Sequence, residues 1–127
     1  MSKASDLEMR LIKFSVDVSI VTKNFTDDPD CRHLVGQIRR SATSPALNYG
    51  EAQSAESMND FIHKLSIVVK ELRETYNALR IIAGMKRISP DNEVLKECDE
   101  LIAIFVASVK TAQKNQKHSV SQITAKQ

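Results

Sequence analysis

Apolar residues recur at alternating spacings of three and four along four separate stretches of this sequence, a repeat that is typical of helices with one buried side. The stretches cover residues 5–25, 30–52, 57–82 and 89–112. The 127 residues include three glycines and three prolines, far fewer than a turn-rich β-sandwich or a disordered chain uses. The pattern predicts an all-α fold.

The repeating residues of each stretch form one apolar seam. In the first two stretches they are Leu7, Leu11, Phe14, Val18, Val21 and Phe25, then Leu34, Ile38, Ala42, Tyr49 and Ala52. In the last two they are Phe61, Leu65, Val68, Leu72, Tyr76, Leu79 and Ile82, then Val94, Cys98, Leu101, Phe105, Val109 and Ala112. Because short connections make neighbouring helices antiparallel, we expect an up-down-up-down antiparallel four-helix bundle over residues 1–114. The polar residues 115–127 are expected to form a flexible tail.

Residues that favour helix ends flank these stretches. Ser5, Asp30, Ser57 and Ser89 are the predicted N-terminal caps, and Ser89 is followed by a proline suited to a first helical turn. Gly84 is the predicted stop of the third helix.

Two features inside the stretches suggest departures from a simple bundle. Pro45 removes one backbone hydrogen bond and is expected to kink or split the second helix. Residues 101–107 are apolar nearly all round, which suggests that the fourth helix contributes to a subunit interface.

Composition excludes several classes of protein. A net charge of +2 rules out a polybasic protein that binds through charge alone. The apolar stretches are shorter than the roughly 18 residues of a membrane span, and the N-terminus lacks a secretory apolar region, so a cytoplasmic location without membrane contact is expected. Cys31 and Cys98 lie far apart without a CxxC motif, so we expect reduced structural thiols.

The sequence carries no recognisable catalytic arrangement. The Glu-x-x-His motifs of di-iron bundles are absent, no nucleophile-elbow motif surrounds a serine, and no glycine-rich loop could hold a phosphate. We therefore expect a protein that is not an enzyme, with no catalytic residues, metal, cofactor or small-molecule substrate.

A polar row on the second helix is unusual because it has the spacing of a seam. Its members are Gln37, Ser41, Ser44, Asn48 and Glu51. A hydrogen-bond network that fixes helix register is favoured over a groove that contacts a ligand.

Equal rise along the antiparallel second and third helices places two pairs of residues at matching heights. Arg40 is level with Glu74, and Glu51 is level with His63. Each pair is either an ion pair or two solvated groups.

Basic residues give the predicted bundle a modest positive surface. The candidates for nucleic-acid contact are Arg39, Lys64, Lys70, Arg73, Arg80, Lys110 and Lys114. On a single bundle such residues are usually a solvated face, whereas several copies side by side would make multivalent contact with a phosphate backbone.

A specific motif runs through the second and third helices. It reads Leu34-Val35-x-Gln37-x-Arg39-Arg40-Ser41-Ala42-x-Ser44-x-x-x-Asn48-x-x-Glu51, then Asp60-Phe61-x-x-x-Leu65 and Glu74. With it, residues 8–112 resemble the bacterial four-helix bundle proteins encoded in ribosomal-RNA intervening sequences. The accessory subunit of diversity-generating retroelements, which works beside a reverse transcriptase, is similar to this group in fold.

The resemblance implies a ring-like homopentamer with a basic surface suited to nucleic acid or to an enzyme that handles it. The residues that match the family's polar signature are Gln37, Arg40, Ser41, Ser44, Asn48, Glu51 and Glu74. We therefore expect an oligomeric, non-catalytic bundle that binds structured RNA or an RNA-handling protein. The alternative is a structural protein-interaction module without affinity for nucleic acid.

Overall fold

Four helices account for most of the chain in a computed structural model. The structure describes the backbone of residues 2–126 and the side chains of residues 2–120 and of Gln122. The helices are α1 (Lys3–Thr22), α2 (Arg32–Ala52), α3 (Met58–Gly84) and α4 (Glu93–Lys126), and one turn of 3₁₀ helix, Lys23–Phe25, follows α1. No strand occurs among residues 2–126, which confirms the predicted all-α class.

Side-chain contacts show how the helices run. Cys31, at the start of α2, lies 3.6 Å from the sulfur of Met85 just beyond the end of α3, and Glu51, near the end of α2, lies 3.0 Å from Lys64. Residue numbers therefore increase along α2 in the direction in which they decrease along α3, so the two helices are antiparallel. Close backbone contacts join α1 to α2, α2 to α3, α3 to α4 and α4 to α1, so α1 and α3 occupy diagonal corners of the bundle.

The predicted seams form the core. Every seam residue is buried or half-buried, and Leu11, Ile38, Leu72 and Leu101 are fully enclosed. Apolar side chains removed from water supply most of the free energy that holds such a bundle together.

Arg10 connects the first and last helices outside this core. Its guanidinium makes a two-pronged hydrogen bond to Glu97, with distances of 2.8 Å from Nε and 2.7 Å from Nη2, and Nη2 also lies 2.7 Å from Glu100. The hydrogen bond from Arg10 to Glu97 is the main reason that the pKa of Arg10 is raised above its ordinary value. Bidentate pairs of this kind fix geometry as well as adding attraction.

The helix caps agree only in part with the predictions. Ser57 caps α3 by accepting a hydrogen bond from the backbone N–H of Asp60, as predicted. At α1 the prediction of Ser5 is wrong, because Ser2 is the cap and accepts from the N–H of Ser5.

The predicted caps of α2 and α4 are wrong as well. Cys31 occupies the cap position of α2, and the Asp30 carboxylate lies 3.3 Å from Arg87 instead. Ser89 accepts from the N–H of Asp91 in a turn, and α4 begins three residues after Pro90 at Glu93.

Helix α3 ends at Gly84, the predicted stop, but Gly84 does not supply the left-handed residue that closes it. Gly84 is still helical, and Lys86 adopts the left-handed backbone conformation with φ 64°. The N–H of Arg87 bonds to the Ile82 carbonyl and that of Lys86 to the Ala83 carbonyl, which is a Schellman motif with lysine in the usual glycine position.

Pro45 does not split α2, because one helix runs from Arg32 to Ala52 and buries Pro45 within it. The segment predicted as a tail also begins inside a helix, since α4 continues to Lys126. Gln127 lies outside the described residues, and flexibility of residues 115–127 stays a prediction.

The apolar run 101–107 of α4 obtains its cover mostly inside the bundle. Leu101 and Phe105 are buried, Ile102 and Ile104 pack against the core, and the residues left exposed are the small Ala103 and Ala107. Part of the run is thus covered within one bundle, and a subunit interface at this run stays a prediction.

Candidate nucleic-acid interface

Ser41 lies at the centre of the polar row on α2 and joins α2 to α3. The Thr75 hydroxyl donates to Ser41 Oγ at 2.7 Å, while the Ser41 hydroxyl donates to the Ile38 carbonyl at 3.2 Å. Both hydroxyls are fully buried. This pair supports the register interpretation of the polar row, since a buried hydroxyl is stable only when it is hydrogen-bonded.

Of the two alternatives for Arg40 and Glu74, the structure shows the ion pair. Arg40 Nη2 lies 2.8 Å from a carboxylate oxygen of Glu74, and Nη1 lies 3.4 Å from Glu71. The hydrogen bond with Glu74 is the main cause of a raised pKa for Arg40. Glu71, which sequence reasoning did not assign to this group, is 8% exposed and obtains a countercharge from Arg40.

The other members of the predicted polar signature do not join this cluster. Asn48 donates to the carbonyl and the hydroxyl of Ser44 within α2, at 3.0 and 2.9 Å. Glu51 pairs with Lys64 rather than with His63, and Gln37 is exposed. The polar row therefore contributes two contacts between α2 and α3, one from Ser41 to Thr75 and one from Glu51 to Lys64, while Ser44 and Asn48 bond within α2.

Three of the predicted basic residues share the exposed side of α3. At about 100° per residue, Lys70, Arg73 and Arg80 fall within an arc of about 80°. The guanidinium of Arg80 lies 5.5 Å from the centre of the Tyr76 ring, and Arg80 borders the same surface hollow as Leu95 of α4. We call Lys70, Arg73 and Arg80 the α3 basic row.

A second group of basic residues lies on α4. Lys110 and Lys114 are exposed and line one shallow hollow together with Lys117, which sequence reasoning left out. Their spacing, with Lys117 three residues after Lys114, is the signal that could have added it.

Lys64 and Arg39 are placed apart from these two groups. Lys64 is held by Glu51 across the α2–α3 boundary. Arg39 is half-buried, with its Nε shielded from solvent and without a hydrogen-bond partner. The structure therefore brings five of the seven candidates onto the outer faces of α3 and α4.

The described residues show few features of reactive chemistry. No group of three or more His, Cys, Asp or Glu side chains in the part that the structure describes could hold a metal ion. Cys31 and Cys98 are unpaired and buried, and burial raises the pKa of the Cys98 thiol to about 12. Within residues 2–126, no helix combines the length and the apolar character needed to span a bilayer.

Helix α1 has a second apolar row that sequence reasoning missed. Met9, Ile12, Val16 and Ile20 are 40–62% exposed and follow one another at spacings of three, four and four. The sequence contains the signal, but the longer seam that starts at Leu7 has the same spacing and predicts only one apolar side. We call these four residues the α1 apolar row.

The fold and the site together define a small all-α bundle whose distinctive polar contacts join two paired helices. These contacts are the buried Ser41–Thr75 hydroxyl pair and the ion pairs of Arg40 with Glu71 and Glu74. The other two helices, α1 and α4, pack beside α2 and α3. The chain belongs to the family of 23S rRNA-intervening sequence proteins, whose family model matches residues 5–107.

A solved structure agrees with this assignment. A protein of unknown function from the S23 ribosomal protein family of Bacteroides thetaiotaomicron VPI-5482 is 26% identical, with a TM-score of 0.76. The similarity covers 82% of this chain and 98% of that protein. Among proteins with curated descriptions, none matches this chain.

Proposed function

We propose that this protein is a non-catalytic, self-associating bundle that binds structured RNA in the cytoplasm through the α3 basic row and the lysines of α4. The observation that carries the proposal is that these side chains lie on exposed helix faces and leave the core to other residues. Lys and Arg on a helix surface neutralise phosphates without reading bases, so RNA shape rather than sequence would set the preference.

Self-association would strengthen this contact. Each bundle offers a small number of cations, and several bundles on one RNA raise the effective concentration of the remaining sites. The family resemblance implies five copies. The family's name, which refers to an intervening sequence in 23S rRNA, suggests structured RNA as the first ligand to test.

The test is fluorescence anisotropy with a labelled RNA hairpin, measured between about 50 and 200 mM salt. We expect affinity to fall steeply with salt for the native protein. A variant with Lys70→Gln, Arg73→Gln and Arg80→Gln should lose affinity and reduce the salt slope by about 2–3, since each lost phosphate contact lowers it by about 0.7–0.9.

The matched control removes the same charge elsewhere. Lys3→Gln, Lys23→Gln and Arg32→Gln change exposed residues outside α3 and α4. Equal loss of affinity in both triple variants would contradict the assigned surface, and native binding that does not respond to salt would contradict phosphate contact.

The α1 apolar row favours a second candidate, a protein-interaction module without affinity for RNA. An RNA-handling enzyme would then be the partner, or the assembly itself would be the function. Native protein that associates with itself but leaves the hairpin anisotropy at background would select this candidate.

A further inference from the structure

The α1 apolar row lies opposite the buried side of its helix. At about 100° per residue, Met9, Ile12, Val16 and Ile20 fall within an arc of about 80° that faces away from the seam. Single exposed apolar residues are ordinary, whereas a continuous row that spans three helical turns marks an interaction surface.

One ion pair borders this row. Lys13 Nζ lies 2.6 Å from a carboxylate oxygen of Asp17, and both side chains reach solvent. The two charges lie on the same edge of the row, the edge turned toward α4, where both residues and Glu97 line one surface hollow. Any partner of the row must accommodate one positive and one negative charge at this spacing.

A second copy of the same helix satisfies that requirement. Ser15 lies midway between Lys13 and Asp17, each about 3 Å away along the axis at 1.5 Å per residue. If a twofold axis passes at Ser15, an antiparallel copy places its Asp17 level with Lys13 and its Lys13 level with Asp17, on the same edge. A parallel twofold copy would place the charged edges on opposite sides of the contact and form neither pair.

The apolar side chains also interleave in this arrangement. With the axis at Ser15, Ile20 of one copy lies between Met9 and Ile12 of the other along the helix direction. The two Val16 residues lie next to each other about 3 Å apart in height, on either side of the axis. Both the heights of the apolar side chains and the positions of the charges are thus compatible with this arrangement.

We propose that the outer face of α1 packs against α1 of a second copy in an antiparallel, twofold contact. This inference rests on the self-association in the proposed function and assigns a surface to it. A twofold contact joins copies in pairs, so rings of five would be joined by it into assemblies of ten.

The test uses charge variants that discriminate between partners. Lys13→Glu gives two facing acidic pairs in a dimer, and Asp17→Lys gives two facing basic pairs. Each variant alone should self-associate about tenfold or more weakly at low salt in sedimentation velocity or light scattering. An equimolar mixture should recover native association, because the glutamate introduced at position 13 of one variant then faces the lysine introduced at position 17 of the other.

Recovery on mixing excludes an effect within one helix. Both single variants lose the Lys13–Asp17 pair of α1, and mixing cannot restore that pair inside either chain. Association that stays weak after mixing, or that never weakens, would overturn the antiparallel contact.

A cross-linking experiment tests the geometry separately. Val16→Cys lies next to the proposed axis and should oxidise to a disulfide-linked dimer, while the native cysteines are buried. Ile81→Cys is the control, because the Ile81 side chain is exposed on α3 away from the proposed contact, and it should remain free of cross-links. Equal cross-linking of both variants would overturn the assignment.

Failure of this inference can be told apart from failure of the proposed function. The Lys70→Gln, Arg73→Gln, Arg80→Gln variant retains α1 and should self-associate like the native protein. If native chains associate, but mixing the charge variants does not restore association and Val16→Cys cross-links no better than Ile81→Cys, the assigned surface is wrong and self-association stands. If native chains are monomeric at every concentration, both are overturned.

Discussion

The hydroxyl pair between Ser41 and Thr75 is the smallest unit that fixes α2 against α3. When either partner is removed, the other hydroxyl can still donate a hydrogen bond to a carbonyl of its own helix. That carbonyl belongs to Ile38 for Ser41 and to Glu71 for Thr75. We expect Ser41→Ala and Thr75→Val each to lower the free energy of unfolding by about 0.5–1.5 kcal/mol in urea denaturation.

The double variant separates the pair from its surroundings. Its loss should be smaller than the sum of the two single losses, since one interaction is removed only once. Ser66→Ala, which removes an exposed hydroxyl bonded to its own helix, should change stability little. Strictly additive losses would show that the pair contributes nothing.

At the end of the bundle where α2 begins and α3 ends, Arg87 ties the connection after α1 to the connection after α3. Its Nε lies 2.6 Å from Asp28, and this hydrogen bond is the main reason that the pKa of Asp28 is lowered from 3.8. A lowered pKa in the folded state means that the stabilisation is complete above about pH 4 and disappears as pH falls through the folded value.

We therefore expect Arg87→Met to lower the melting temperature at neutral pH and to have a much smaller effect near pH 2. Thermal unfolding followed by circular dichroism at both pH values checks this. Arg32→Met, which changes an exposed arginine outside this contact, is the control. An equal effect of Arg87→Met at both pH values would show that Asp28 is not the relevant partner.

At the scale of elements, the end of α3 contains local strain. Lys86 has φ 64°, where a side chain crowds the following carbonyl. Lys86→Gly should raise the free energy of unfolding by about 0.5–1 kcal/mol, whereas Lys86→Ala, which keeps a Cβ, should change it little. Denaturant titration measures both, and equal effects of the two variants would contradict this explanation.

Gly36 offers the opposite test within α2. It lies on an exposed helical position, and a Cβ there would meet nothing within 4 Å. Gly36→Ala should stabilise the protein by about 0.5–1 kcal/mol, and Gly36→Ser by less, following helix propensity. Denaturant titration checks the order. Destabilisation by alanine would indicate that this face is covered in the assembly.

The predicted elements show where sequence periodicity is informative. The seams predicted all four helices, because Leu, Phe and Ile at spacings of three and four form one apolar side of a helix that is stable only when buried. Periodicity could not find the extension of α4, since a polar helix and a polar coil have the same apolar pattern. Caps were misplaced because a second candidate lies close to each predicted one: Ser2 precedes Ser5, and Asn92, which accepts from the N–H of Val94, follows Ser89.

At the scale of the whole molecule, α4 extends past the last buried residue of the core. Ala112 is buried, and among residues 113–120 only Gln116 is half-buried. A chain ending at Lys114 should therefore keep a melting temperature within a few degrees of the native value. Circular dichroism checks this, and a large drop would show that residues 115–127 belong to the bundle.

The candidate site was only partly predictable because a surface depends on rotation and on neighbours. Equal rise along an antiparallel hairpin correctly matched Arg40 with Glu74. It could not tell His63 from Lys64 as the partner of Glu51, because these neighbours have nearly the same height and differ by about 100° around the helix axis. Arg39 and Lys70 look alike in a sequence, yet one is half-buried and the other is exposed. The α1 apolar row was hidden because its helix carries two rows with the same spacing.

The diagonal placement of α1 and α3 has a consequence for how RNA could be organised. If two copies join through α1, their α3 basic rows point in opposite directions, on the far sides of the pair. One pair could then hold two separate RNA segments at once and act as a bridge between them. A monomer can only coat a segment, whereas a bridging pair would compact a long RNA.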